Sequence, residues 1–440
     1  MKTPLLTSAL CLLPAVGFAQ DAEVLPDGRQ ITPAAFEAPL RTTKVQSEAK
    51  FAILSTKIVT CAEVGPMVVN NGVLLVNMGK IEAVGRQSEI EIPEGYEVID
   101  AGDNWVIPGM IDLHSHVGGS LSTNDLNDTV FLTNPGLRAF AAVTPGNSNL
   151  RRALAGGVTS VLYIPGSGSN IGGQGVLMKT GFDTYENTEI RNPGSMKLAQ
   201  AGNPERFAFG VARSFMNWHT RETLKRGITY AQLWEDFAAG TGEQPEIDIQ
   251  WELFRDLLAK RTQVSAHTQI YQVVLESLTM VTQEFGLDLY IDHGTIGAWR
   301  LGGLAQELGV PAMLGPRNVD APARGFMQWA GHIEAEGFRG VAAGYQQAGH
   351  KVIGFNTDSP VIMDEEYTMQ AAMAVHFGLD DSDMTAVRGL TINPAIAAGI
   401  DDIVGSLEVG KHADIVVLSG HPADPRSRIS KVFIEGRYIQ

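Results

Sequence analysis

The sequence predicts an α/β fold, a (β/α)8 TIM-like barrel with a small β domain assembled from both chain ends. Three observations carry the prediction. Apolar strand-like runs alternate with helix-like segments through the middle of the chain, strand-like runs separated by turns occupy both ends, and histidines recur where the central runs stop. Strand and helix in alternation imply a parallel sheet covered by helices. At 440 residues, 44% hydrophobic and 19% charged, the chain has material for one large core and a smaller one.

Residues 1–20 combine Lys2, an apolar run over 4–19 and the small residues Gly17 and Ala19 before Gln20-Asp21, which is the pattern of a secretory signal peptide. The run is shorter than the ~20 apolar residues of a spanning helix. Leu10 and Leu12 around Cys11 do not give the small-residue setting of a lipid anchor. The expected location is periplasmic or secreted, with no stable membrane insertion once the signal is removed. Residues 21–48 are polar, contain Pro and Ala, and read as an N-terminal arm. Cys61 is then the one cysteine left, which excludes an intramolecular disulfide. A net charge of −16 without any basic tract excludes nucleic acid as a partner, because phosphate binding needs clustered Lys and Arg. The acidity is read as serving solubility.

Residues 49–105 hold strand signals at Phe51-Ala52-Ile53-Leu54, Gly72-Val73-Leu74-Leu75-Val76, Lys80-Ile81-Glu82-Ala83-Val84 and Tyr96-Glu97-Val98-Ile99-Asp100. Matching runs return in 403–440, at Ala413-Asp414-Ile415-Val416-Val417-Leu418 and Lys431-Val432-Phe433-Ile434. Between them, 106–402 supplies the barrel, and its roughly 300 residues suit eight βα units with insertions.

Active sites of such barrels lie at the C-terminal ends of the strands. The run Val106-Ile107-Pro108-Gly109-Met110-Ile111-Asp112-Leu113 ends in His114-Ser115-His116, and alternation along a strand sends both imidazoles to one side. A lone H-x-H pair also suits a polar strand terminus. His267 and His293 end later runs, however, and Asp358 follows Ile353-Gly354-Phe355-Asn356-Thr357, so four imidazoles and a carboxylate are expected at one mouth. His219, His332, His350, His376, His412 and His421 occupy no such strand end and read as surface or helix residues. Trp218, Trp234, Trp251 and Trp299 read as core or helix packing.

The chain resembles the amidohydrolase superfamily, and within it the exported, imidazolonepropionase-related branch. The resemblance rests on PGMIDLHSH at 108–116, NDLNDT at 124–129, PGSGSNIGGQG at 165–175, DHGT at 292–295, TINPA at 391–395 and GSLEVGKHAD at 405–414. It implies a metal-dependent barrel hydrolase flanked by a β-sandwich from both chain ends. Carried over by position, it makes His114, His116 and Asp358 ligands of one divalent ion, zinc by preference, and His267 and His293 ligands of a second. A strand-4 lysine carboxylated on its amine would bridge the two ions. Lys197 is the preferred candidate and Lys179 its rival, and without either the site would hold one ion.

An ion held by neutral imidazoles and a carboxylate lowers the pKa of its bound water from 15.7 towards ~7, which makes hydroxide the expected nucleophile. Asp358 is the expected general base and then general acid. The second ion, or His293 if one ion is bound, would polarise the carbonyl. The Gly-rich run over 166–175 is not a phosphate loop, because Met178 stands where Gly must precede Lys179-Thr180. It reads as a flexible loop after the second barrel strand at the rim, with Asn170 and Gln174 as candidate substrate contacts.

The expected reaction is hydrolysis of an amide C–N bond in a small-molecule substrate such as a dipeptide or N-acyl amino acid, not cleavage within a peptide chain. Deamination or opening of a cyclic amidine or imidazolone uses the same chemistry and is the alternative within enzymology. A metal- or ligand-binding envelope protein is the non-enzymatic one. The family likeness adds a possible homo-oligomer.

Overall fold

The computed structural model describes residues 47–119, 127–129, 131–200, 204, 212–320 and 339–439, together with a short antiparallel pair over 23–24 and 30–31. The expected signal peptide lies outside the described residues, and so does nearly all of the expected arm. Strands from both ends of the chain form one eight-stranded sheet. From the N-terminal side come β1 (Lys50–Val59), β2 (Val68–Asn77), β3 (Lys80–Arg86), β4 (Glu97–Asp100) and β5 (Trp105–Pro108).

Gly109 leads straight into the barrel strands β6 (Met110–Ser115), β7 (Val158–Tyr163), β8 (Ile171–Lys179), β9 (Glu189–Ala199), β10 (Val264–Thr268), β11 (Leu289–His293), β12 (Ala312–Leu314) and β13 (Ile353–Phe355). The chain then returns to the first sheet through β14 (Ile415–Leu418), β15 (Ile429–Ile434) and β16 (Arg437–Tyr438). There β14 pairs antiparallel with β5, while β4 and β5 both pair parallel with β1. Alternation along β1 and β2 puts Phe51, Ile53 and Leu74 in one buried cluster and Ala52, Val73 and Leu75 in another.

The barrel strands follow chain order around the sheet, from β6 to β13. A parallel bridge between Ser115 and Ser359 brings the first and last strands together, and the His116 N–H donates to the Ser359 carbonyl at 2.8 Å. The core that fills and wraps this sheet draws on every barrel strand, with Ile111, Val161, Val176, Leu198, Ala266, Ile291, Met313 and Phe355 all buried.

One strand departs from the expected alternation. β8 runs antiparallel to both β7 and β9, whereas β6–β7 and every pair from β9 to β13 are parallel. The connections over 164–170 and 180–188 are too short for a crossover helix, which needs a dozen or more residues, so the chain turns back on itself twice. Much of the Gly-rich run is therefore not a flexible rim loop. Residues 171–175 lie inside β8, every residue of which is buried.

The reversal also sends Lys179 to the far end of the barrel. There its fully buried ammonium pairs with the Asp414 carboxylate, tying the barrel to the segment that enters β14, and the other Asp414 oxygen accepts the Glu435 N–H at 3.0 Å. Two of the histidines expected at the surface, His350 and His412, are buried. Burial pushes the His350 imidazole down to about 4. Trp218 is exposed instead of packed, while Trp234 is buried. No helix among the described residues is long and apolar enough to cross a membrane.

Removing one partner of a buried ion pair strands the other charge. Lys179→Met is expected to lower the unfolding free energy by about 3–5 kcal/mol in denaturant titration, and a loss below about 1 kcal/mol would contradict this role for the pair.

Candidate active site

The site is built from strand ends. His114 is the fifth residue of β6 and is fully buried, and His116 follows the strand on the same side. Asp112, two residues earlier, fixes them against the last strand. One of its oxygens accepts the His114 N–H at 2.9 Å, and the other accepts the Thr357 N–H at 3.1 Å and the Thr357 hydroxyl at 2.6 Å. The next residue, Asp358, is thereby set opposite the histidine pair. Its Oδ1 lies 3.2 Å from His116 Nε2 and 3.3 Å from His114 Nε2.

Lys197 enters from β9 with its Nζ 3.1 Å from His114 Nε2. His267 of β10 and His293 of β11 complete the group, with Nδ1 of the first 2.9 Å from Nε2 of the second. Two sets of ligand-type atoms result, His114 with His267 and His293, and His114 with His116 and Asp358. Within each set the atoms lie no more than 4.8 Å apart. All six residues named from the sequence as metal ligands therefore meet in one place.

The outer nitrogens of three rings are committed. His116 Nδ1 lies 2.9 Å from the Ile164 carbonyl and His293 Nδ1 lies 2.7 Å from the Gly315 carbonyl. A carbonyl only accepts, so both nitrogens carry the proton and both Nε2 atoms turn lone pairs inward. His114 Nδ1 faces Asp292 Oδ2 at 3.0 Å. Burial pushes His116 down, pushes His293 down to about 4 and, with His293 beside it, pushes His267 well below its ordinary value. Burial and the Lys197 ammonium also press His114 down, but Asp292 and Asp358 override them and raise it. Asp358 behaves oppositely: burial pushes it up, and the His114 and His116 rings hold it well below the usual carboxylate range.

A neutral His116 whose Nε2 lone pair faces a carboxylate at 3.2 Å is acceptor against acceptor. A cation between them resolves that repulsion, and nitrogen and carboxylate donors of this kind suit a divalent transition metal. The residues present thus fit the ion that the sequence implies. Outer hydrogen bonds that fix each ring are also what metal-binding histidines require.

The backbone carries strain here. His293 has φ 71° and Asp358 has φ 52°, left-handed values that cost non-glycine residues about 1–3 kcal/mol each. Both are held by fixed neighbours, His293 through Gly315 and Asp358 through Thr357. The site opens on the Asp358 side, whose carboxylate is 18% exposed while the His114 side chain is fully enclosed.

Three expectations change. His293 cannot polarise a carbonyl as a hydrogen-bond donor, because its proton is bound to Gly315 and its inward nitrogen is a lone pair. The side chains of the expected substrate contacts are spent within the protein. Asn170 donates to the Ala199 carbonyl and accepts from the Thr220 hydroxyl, and Gln174 donates to the Pro135 carbonyl. Lys179 sits at the opposite end of the barrel, which leaves Lys197 as the bridging candidate. Burial pushes Lys197 down to about 8. Sequence reasoning gave no role to Asp112, Asp292 or Ser167, although each lies within a motif it quoted.

A barrel joined to a β sheet from both chain ends, with histidines, a lysine and an aspartate gathered at its strand ends, is the arrangement that the sequence resemblance implies for a metal-dependent barrel hydrolase. The family described as the Amidohydrolase family matches residues 300–439. It is 26% identical over 404 residues to amidohydrolase tasK of Hapsidospora irregularis, covering 83% of this chain and 39% of that protein. To the imidazolonepropionase of Symbiobacterium thermophilum it is 25% identical over 397 residues, covering 80% of this chain and 84% of the relative. The solved structure of an amidohydrolase from Thermotoga maritima superposes with a TM-score of 0.77 at 28% identity, over 89% of this chain and all of that one.

Protein purified without chelators is expected to carry one or two divalent transition-metal ions per chain by elemental analysis, and His114→Ala to carry fewer. Less than one ion per chain, with no uptake of added zinc, would contradict the assignment of the cluster.

Proposed function

We propose that the chain is an exported, metal-dependent hydrolase that cleaves the amide C–N bond of a small substrate such as a dipeptide or N-acyl amino acid. The observation that carries this reading is the meeting of His114, His116, His267, His293, Lys197 and Asp358 in one strained, partly open site. His114, His116 and Asp358 would hold one ion, and His267 and His293 a second. Zinc suits these ligands. When bound, such an ion supplies Lewis acidity and lowers the pKa of a water molecule beside it.

Lys197, with its ammonium pushed down to about 8, has an appreciable neutral fraction near neutral pH. The neutral amine is the form that adds carbon dioxide, which supports its role as a carboxylated bridge between the two sets of ligands. Asp358 is the general base and acid. Among the cluster's side chains it combines exposure to the opening with an ionised carboxylate, so it can take the proton of the attacking water and return it to the departing nitrogen. The pattern of residues 1–20 supports export.

A second reading, opening of a cyclic amidine or imidazolone, is favoured by the likeness to imidazolonepropionase over 80% of the chain. Product analysis separates the two: two fragments from an acyclic amide, a single ring-opened product from the cyclic substrate. With zinc restored, the enzyme is expected to turn over members of a dipeptide and N-acyl amino acid panel. Asp358→Asn should lower kcat by about 10²–10⁴-fold while the circular dichroism spectrum is retained. Wild-type turnover by Asp358→Asn would refute the proton-transfer role.

A further inference from the structure

The turn between β7 and β8 is anchored at both ends. Ile164 donates its N–H to the Ser115 carbonyl at 3.1 Å and accepts from His116, while the Asn170 carbonyl accepts the Ala199 N–H at 2.7 Å. Between these anchors the Asn127 side chain beds into the turn, its Oδ1 accepting the Gly168 N–H at 2.9 Å. The fit requires glycine. A Cβ on Gly166 would stand 2.3 Å from Asn127 Oδ1, and one on Gly168 would stand 2.7 Å from it. Asn127 and the glycines of the Gly-rich run, none of which has a part in the proposed ligand set, thus form a single device.

That device delivers Ser167. The residue is buried, and its Oγ lies 2.8 Å from His267 Nδ1, the same nitrogen that faces His293 Nε2. With a cation on His267 Nδ1, that nitrogen has neither a proton nor a free lone pair for Ser167, and a buried hydroxyl must find another partner. The outer N–H groups of His116 and His293 point away from the centre to Ile164 and Gly315, and His114 Nδ1 faces Asp292. None of these three outer nitrogens can donate to a substrate oxygen, whereas the Ser167 hydroxyl has a hydrogen to give.

We propose that Ser167 is a further catalytic residue, its hydroxyl donating to the carbonyl oxygen of the substrate and to the negative charge that grows there as water adds, and that Asn127 is its positioning residue. The proposal rests on the metal-dependent hydrolase reading. No proton is transferred in this step; the Ser167 hydroxyl hydrogen turns to the substrate oxygen, and that bond strengthens as charge develops.

Acetohydroxamate, a small carbonyl ligand of zinc hydrolases, is the probe, titrated calorimetrically into zinc-loaded protein. Ser167→Ala is expected to bind it about tenfold or more weakly than wild type, the loss of a hydrogen bond to a charged oxygen, with zinc content unchanged. Asn127→Ala is expected to weaken it in the same direction, also at full zinc content. Equal affinity in wild type and Ser167→Ala would overturn the role of Ser167, and so would loss of zinc from Ser167→Ala, which would make the residue a support for the metal ligand. Wild-type protein that takes up no zinc would overturn the hydrolase reading itself.

Discussion

The site depends on one electrostatic constraint, that lone pairs and a carboxylate are buried facing one another. The meeting of His116 Nε2 with the Asp358 carboxylate is one that a neutral imidazole does not adopt for its own stability, and His293 Nε2 turns a second lone pair into the same centre. The barrel holds them by fixing the outer face of each ring on Ile164, Gly315 or Asp292 and by stapling β6 to the Thr357 turn through Asp112. The left-handed backbone at His293 and Asp358 is the local cost of that placement. A cation converts the repulsion into coordination, which is why metal and fold belong to one account.

The reversed strand β8 has consequences at both ends of the barrel. At the mouth it presents a tight, anchored turn where a βα unit would place a longer loop, and that turn reaches the histidines through Ser167. At the base it brings Lys179 to Asp414, joining the barrel to the strands that the C-terminal end contributes to the other sheet. One change of direction thus separates the two lysines that the sequence left in competition. Lys197 faces the site, and Lys179 holds the architecture.

Much of the site was legible because strand ends mark barrel mouths. Period-two alternation paired His114 with His116, and the apolar runs before His267, His293 and Asp358 set their depth. Strand direction was not legible, since an apolar Gly-rich strand reads the same parallel or antiparallel and only the length of its connections decides. The roles of Asn170, Gln174 and Ser167 depended on that direction, and so the residue that faces the histidines was passed over for two that bond to the protein. The burial of His350 and His412 was hidden for a related reason: position along the chain does not report what packs over a loop.

Anomalous diffraction from crystals of zinc-loaded protein distinguishes a metal centre from a cluster of side chains that binds no ion. Anomalous density is expected within the cage of His114, His116, His267, His293 and Asp358, with Lys197 extended by a carboxylate if two peaks are present. Zinc-loaded crystals with no peak among these residues, or with zinc bound at some other place alone, would contradict it.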